Sequence, residues 1–298
     1  MKMECFAYVG TYTGPQSKGL YVCRFDGMTG RLSPSVLAAE VANPSFLAIH
    51  PSRRFLYAVS EIQSADGRAG GAVSAFSVGQ DSGQLTLLNQ VPSCGESPCH
   101  VAVDKSGSCL LAANYGSGSV ALMGIGEAGQ LDAASVVVKH AGVGVHPIRQ
   151  QGPHAHSANP DQAGRFVLVA DLGIDRIMVY RLDPCARTLM PASTPCITLP
   201  PGHGPRHMAF HPSGRFAYVI NELANTVTVM GYDPENGALE IRQDLSTLPA
   251  GFTGASFGSE IRISPSGRHV YAGNRGHDSI AGYAVDPATG LLSLLAIQ

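Results

Sequence analysis

The chain has 298 residues, a formal net charge of -2 and only 14% charged residues, which is long enough for one large domain if the architecture is a barrel or a propeller. So little charge leaves no broad basic stripe and no acidic tail, and the absence of Trp removes the stacked aromatics that a single-strand platform wants. No nucleic-acid partner and no membrane association are expected.

The N-terminus, MKMECFAYVG, passes directly into an alternating segment without a charged leader ahead of an apolar stretch, as a mature cytoplasmic chain would. Cysteines 5, 23, 94, 99, 109, 185 and 196 are scattered and form no Cys-x-x-Cys pair. They read as free thiols in a reducing compartment.

FAYVGTY, 6 to 12, is the first copy of a strand that returns throughout the chain. It recurs in NPSFLAIHPSRRFLYAVSE (43–61), SPCHVAVDKSGSCLLAANY (97–115), PHAHSANPDQAGRFVLVADL (153–172), GPRHMAFHPSGRFAYVINE (204–222) and SEIRISPSGRHVYAGNR (259–275). In these five the plan is a short apolar strand, a tight polar turn, and a second strand ending in a small polar residue. Aligned on Phe6, Phe55, Cys109, Phe166, Phe216 and His269, the second strands are 49, 54, 57, 50 and 53 residues apart.

A third alternating strand follows each, such as NTVTVMGY, several running into turns of the DPENG kind where Gly supplies a positive φ. A weaker fourth strand closes the unit. Four strands per unit with no helical period predict an all-β fold, a β-propeller with about six blades represented. A β-helix or a sandwich also accommodates period-two strands, but neither predicts the returning hairpin. The chain opens on a second strand and stops at LLSLLAIQ, so unit one lacks its first strand. The expectation is a single propeller domain over 1–298, C-terminally truncated.

In a blade, the start of strand one and the end of strand two share a rim, which collects His154, His156, Arg206, His207 and Glu260 with the second-strand ends. One column there reads Thr11, Ser60, Asn114, Asp171, Asn221 and Asn274, polar residues suited to bonding turn backbone. Asp171 is the member placed to orient a histidine through its second ring nitrogen. The next column ends in Glu222 and Arg275. With Arg206 and His156 these form a mixed-charge pocket for a small anion, or ion pairs that hold neighbouring blades together.

GPHAHSANP leaves three readings open for His154 and His156: a metal half-site, a base with its neighbour, or two space-filling rings. As i and i+2 residues on a strand they would point the same way. His50 and His211 fall at the opposite turns with Asp104 and Asp161, and read as turn or surface residues. GHGPRH, 202–207, lacks the strand-to-helix setting of a phosphate loop, and no Gly-x-Ser-x-Gly elbow occurs.

YVGTYT, NPSFLAIHPSRRFLYAVSE, GPRHMAFHPSGRFAYVINE and IRISPSGRHVYAGNRGHDSIAGY together resemble the seven-bladed propeller lactonases over residues 5–298. That group contains the propeller-type bacterial 6-phosphogluconolactonase and the fungal carboxy-muconate lactonising enzyme. The resemblance implies that His156, Arg206, Glu222 and Arg275 stand where the muconate enzyme has its active-site histidine, first arginine, glutamate and second arginine. It also implies a further stretch of about 50 residues, one observed period, which would supply the closing blade. The full-length protein is then expected to be a monomer, and the shortened chain to self-associate through exposed sheet.

The expected activity is hydrolysis of a sugar lactone, foremost 6-phosphoglucono-δ-lactone. Carboxy-muconate lactonisation and a non-enzymatic scaffold are the alternatives. His156 is expected as the base, because Glu222 between arginines should be held ionised and weakly basic; Glu222 would orient water or the histidine. Asp171, His154 and His207 are expected to contact substrate. No cofactor and no metal are expected, since two arginines would repel a divalent ion.

Overall fold

Second strands begin at the aligned anchors in five of the six units, at Phe55, Cys109, Phe166, Phe216 and His269, and at Glu4 in the first. The computed structural model describes residues 4–62, 64–65 and 68–298. Among these residues the only helix is a single 3₁₀ turn, Leu172–Ile174, and no helix is long and apolar enough to cross a membrane.

The strands form six four-stranded antiparallel sheets and one small hairpin, and the chain divides into two compact units, residues 1–116 with 120–138 and residues 117–119 with 139–298. In the first unit the leading sheet has Glu4–Gly10 at its edge beside Gly19–Asp26, which pairs on its other side with Arg31–Leu32 and Val36–Glu40. Sheet two runs Leu47–Ile49, Phe55–Ser60, Ala72–Val78, Leu85–Pro92. Sheet three runs Pro98–Val103, Cys109–Asn114, Ser119–Ile125, Leu131–Lys139.

Three sheets make up the second unit, each ordered as its strands occur in the chain. Sheet four is Ala155–Pro160, Phe166–Asp171, Arg176–Asp183, Thr188–Thr198. Sheet five is Pro205–Phe210, Phe216–Asn221, Thr226–Tyr232, Leu239–Ser246, and sheet six is Phe257–Ile263, His269–Arg275, Ser279–Val285, Leu292–Ile297.

The fourth strands are largely exposed, the second strand of sheet six alternates, and the second strands of sheets two to five do neither. FLYAVS, CLLAAN, FVLVAD and FAYVIN are buried at every position, so neither face of these strands meets solvent. Within the second unit, Phe166, Leu168 and Val179 of sheet four pack with Met208, Val219 and Met230 of sheet five. Phe216, Tyr218 and Val229 of sheet five pack in turn with Val270, Ala272 and Tyr283 of sheet six.

One repeated device locks sheet one onto two, two onto three, four onto five and five onto six. The turn before a fourth strand carries a glycine with positive φ, and the preceding sheet's anchor phenylalanine lies against it. Gly290 has φ 76°, and a Cβ there would stand 2.5 Å from the Phe216 ring. Tyr218 donates to the Gly290 carbonyl at 3.0 Å. In the first unit Tyr57 donates in the same way to Gly129.

Candidate active site

Each first strand of sheets three to six breaks register near its start. Ala155 faces Asp171 and Ser157 faces Ala170, which leaves His156 as the extra residue of a β-bulge. Pro205 faces Asn221 and His207 faces Ile220, so Arg206 occupies the same place in sheet five. In sheet six the interrupted stretch holds Ser259 and Glu260. A bulge re-aims the side chain it inserts, and here it turns His156 and Arg206 onto one carboxylate.

That carboxylate is Glu222, whose side chain is 3% exposed. Its Oε2 accepts from Arg206 Nε at 3.1 Å and forms an ion pair with Arg275 Nη2 at 2.8 Å. His156 Nε2 lies 3.7 Å from the same oxygen, beyond hydrogen-bond reach. Oε1 accepts from Arg149 Nη2 at 2.5 Å. Arg206 is further tied to the Ser259 carbonyl and Arg275 to the Gly258 carbonyl. Three guanidinium groups therefore surround one buried carboxylate, a local surplus of two positive charges.

His207 packs edge-on to His156, with ring centroids 5.2 Å apart and planes at 76°. It is buried, and its Nδ1 bonds Glu260 Oε2 at 3.0 Å. Burial holds its pKa well below the ordinary histidine value, helped by the charges of Arg206, Arg262 and Arg275. The ring is therefore neutral at pH 7.

The structure brings His156, Arg206, Glu222 and Arg275 together, with His207 beside them. Asp171 is placed differently. It is fully buried, and its carboxylate accepts from the backbone of His154 and Gly173 and bonds His140 Nδ1 at 2.5 Å. It does orient a histidine, but that histidine is His140, so it braces the strand entry and is not exposed to substrate. His154 lies outside strand Ala155–Pro160 and His156 is the bulged residue within it, so the regular i, i+2 strand geometry does not apply to the pair. Among the described residues no cluster of three or more His, Cys, Asp or Glu could hold a metal ion.

Three further positions differ from expectation. His211, Asp104 and Asp161 are buried rather than surface residues; His211 Nε2 bonds the Gly267 carbonyl, Asp104 accepts from the amides of Ser106 and Cys109, and Asp161 accepts from Tyr232 and from the amides of Arg165 and Phe166. The amides of Gly202 and Gly204 in GHGPRH are turned to the Asp175 carboxylate, each at 2.7 Å.

Arg149 has no place in the repeat pattern. It lies in the loop before strand Ala155–Pro160, where no period predicts a direction, and seven residues ahead of His156 it gives no motif. The signal available was compositional: a lone arginine in an otherwise apolar loop, AGVGVHPIRQQ.

The chain matches the family described as "Lactonase, 7-bladed beta-propeller" over residues 6–298. It belongs to this family. The 6-phosphogluconolactonase of Bacillus subtilis (strain 168) is 40% identical over 288 residues, covering 97% of this chain and 80% of that protein. A 6-phosphogluconolactonase of Formosa agariphila is 30% identical over 292 residues, covering 97% and 81%. Among solved structures, the periplasmic gluconolactonase PpgL of Pseudomonas aeruginosa superposes with a TM-score of 0.93 at 34% identity, over 99% of this chain and 83% of that one. The fold is thus the lactonase β-propeller, and six of its blade-type sheets lie in this chain.

Proposed function

We propose that this protein hydrolyses a phosphorylated sugar lactone, 6-phosphoglucono-δ-lactone, to 6-phosphogluconate. The observation that supports this most is the charge count at Glu222: three arginines against one carboxylate leave two positive charges, and a phosphomonoester brings about -1.5 to -2 at neutral pH. Relatives named 6-phosphogluconolactonase add to it.

In this mechanism His156 takes a proton from water as the oxygen adds to the lactone carbonyl carbon. The imidazolium so formed is stabilised by Glu222 Oε2, 3.7 Å away. The carbonyl oxygen becomes an oxyanion, for which the Arg206 and Arg275 guanidiniums are preorganised donors. Collapse breaks the bond from that carbon to the ring oxygen, which leaves with the proton held by His156. Glu222, ringed by three guanidinium groups, serves as the charge that positions them.

A phosphomonoester does not cross a lipid bilayer unaided, so this substrate implies a cytosolic chain. The test is turnover by purified protein of 6-phosphoglucono-δ-lactone against a carboxylated muconate lactone. Opening of the phosphorylated lactone well above the buffer rate supports the proposal. Robust muconate turnover with phosphogluconolactone at the buffer rate would overturn it, and activity toward neither would leave a binding scaffold.

A further inference from the structure

We infer that Arg149 is the specificity-determining residue of this site, the group that recognises the substrate's phosphate; the inference rests on the hydrolase reading above. The two oxygens of Glu222 divide the site. Oε2 collects His156, Arg206 and Arg275, the groups assigned to the reacting carbonyl, whereas Oε1 is bonded by Arg149. Arg149 therefore stands on the far edge of the carboxylate from the proton-transfer group. An anion carried at the other end of the sugar from its lactone carbonyl would be met there.

The three arginines are also held differently. Arg206 and Arg275 are each fastened to a carbonyl of sheet six. Arg149 comes from a loop, and its side chain is 32% exposed, between Arg206 at 15% and Arg275 at 49%, so an approaching anion can reach its planar fork.

The backbone beneath Arg149 is firmly placed. Its neighbour Gln150 is buried and donates to the Leu172 carbonyl and to Asp175, while its side-chain oxygen accepts from the His146 amide. Asp175 accepts in turn from the amides of Gly202 and Gly204, which lead into Arg206. One buried carboxylate thus sets the loop of Arg149 and the strand of Arg206 in a common frame. That is the preorganisation a two-point grip on a phosphorylated lactone requires. It also accounts for Arg149 bonding Glu222 before substrate arrives: the carboxylate holds the guanidinium in position and can yield it to a phosphate.

The experiment compares the protein as it stands with Arg149→Gln and Arg149→Lys on 6-phosphoglucono-δ-lactone and on glucono-δ-lactone. Calorimetric binding of 6-phosphogluconate and gluconate runs in parallel. Losing a charge-assisted contact should lower kcat/KM for the phosphorylated lactone at least on the order of tenfold more than for the neutral one. The loss should fall mainly on KM, shrink as salt rises, and be partly restored by Lys. Equal losses on both lactones, or a loss confined to kcat, would overturn the assignment. If the unaltered protein opens neither lactone, the hydrolase reading fails, and the binding arm decides on its own. A selective loss of 6-phosphogluconate affinity in Arg149→Gln upholds Arg149 as the phosphate reader, and parallel or absent losses reject it.

Discussion

The hairpin Pro205–Asn221 has two ends, and they handle buried polarity in opposite ways. At the turn end, polar groups pair locally: His211 Nε2 donates to the Gly267 carbonyl, His211 Nδ1 accepts from Ser213, and Tyr218 donates to the Gly290 carbonyl. At the other end several cations share one acceptor, with Arg149, Arg206 and Arg275 all on Glu222 and His156 just beyond bonding distance. One-to-one pairing holds sheets together and leaves no demand for a partner. A surplus of charge around a single buried group is stable only with solvent or a counter-ion at hand, which is why the proposed function puts the substrate's anion there. The corresponding position in the first unit, Glu61, pairs with the hydroxyl of Tyr12 at an exposed site, so the column by itself does not make the pocket.

The largest test of this contrast removes the proposed base. His156→Ala should lower kcat on the phosphorylated lactone by about 10²–10⁴, measured at saturating substrate. Retention of more than a tenth of the activity would break the distinction between the two ends.

Glu222→Gln comes next. Without the carboxylate, three guanidiniums repel one another around a neutral amide. Unfolding free energy should fall by roughly 3 kcal/mol, a figure already reduced for the exposure of Arg149 and Arg275. Urea melts measure it, and an unchanged midpoint would mean that the cluster is fully solvated in practice. At the turn end, Tyr218→Phe deletes one hydrogen bond and should cost about 1 kcal/mol in the same melts. Its kcat/KM should match the unaltered protein, since nothing at that end touches substrate.

The smallest effect concerns pH. The folded pKa of His207 lies below its ordinary value of 6.5. Above that pH both folded and unfolded chains hold the ring neutral, and it contributes nothing. As pH falls below 6.5 the unfolded chain takes up a proton that the folded one resists, so stability declines until the folded pKa is passed. Between pH 7.5 and 5.5 the fall in urea midpoint should therefore be smaller in His207→Gln than in the unaltered protein. Equal falls would show that His207 is accessible and titrates normally.

The five hairpins, the six anchors and the all-β architecture were legible from residue pattern because each depends on local chemistry: apolar runs, polar turns and glycines that take positive φ. Four residues of the Glu222 cluster were legible too, since His156, Arg206, Glu222 and Arg275 sit at the ends of recurrent strands. What made those ends into a site was decided in three dimensions. The bulges that re-aim His156 and Arg206 add a residue to one strand without changing its apolar pattern, so no count of periods reveals them. Arg149 arrives from a loop whose path is set by Gln150 and Asp175, groups far apart in sequence. The partners of Asp171 and His211 were hidden for the same reason. A side chain's residue type states which bonds it can make, and only the packed sheets state which atoms stand within 3 Å of it.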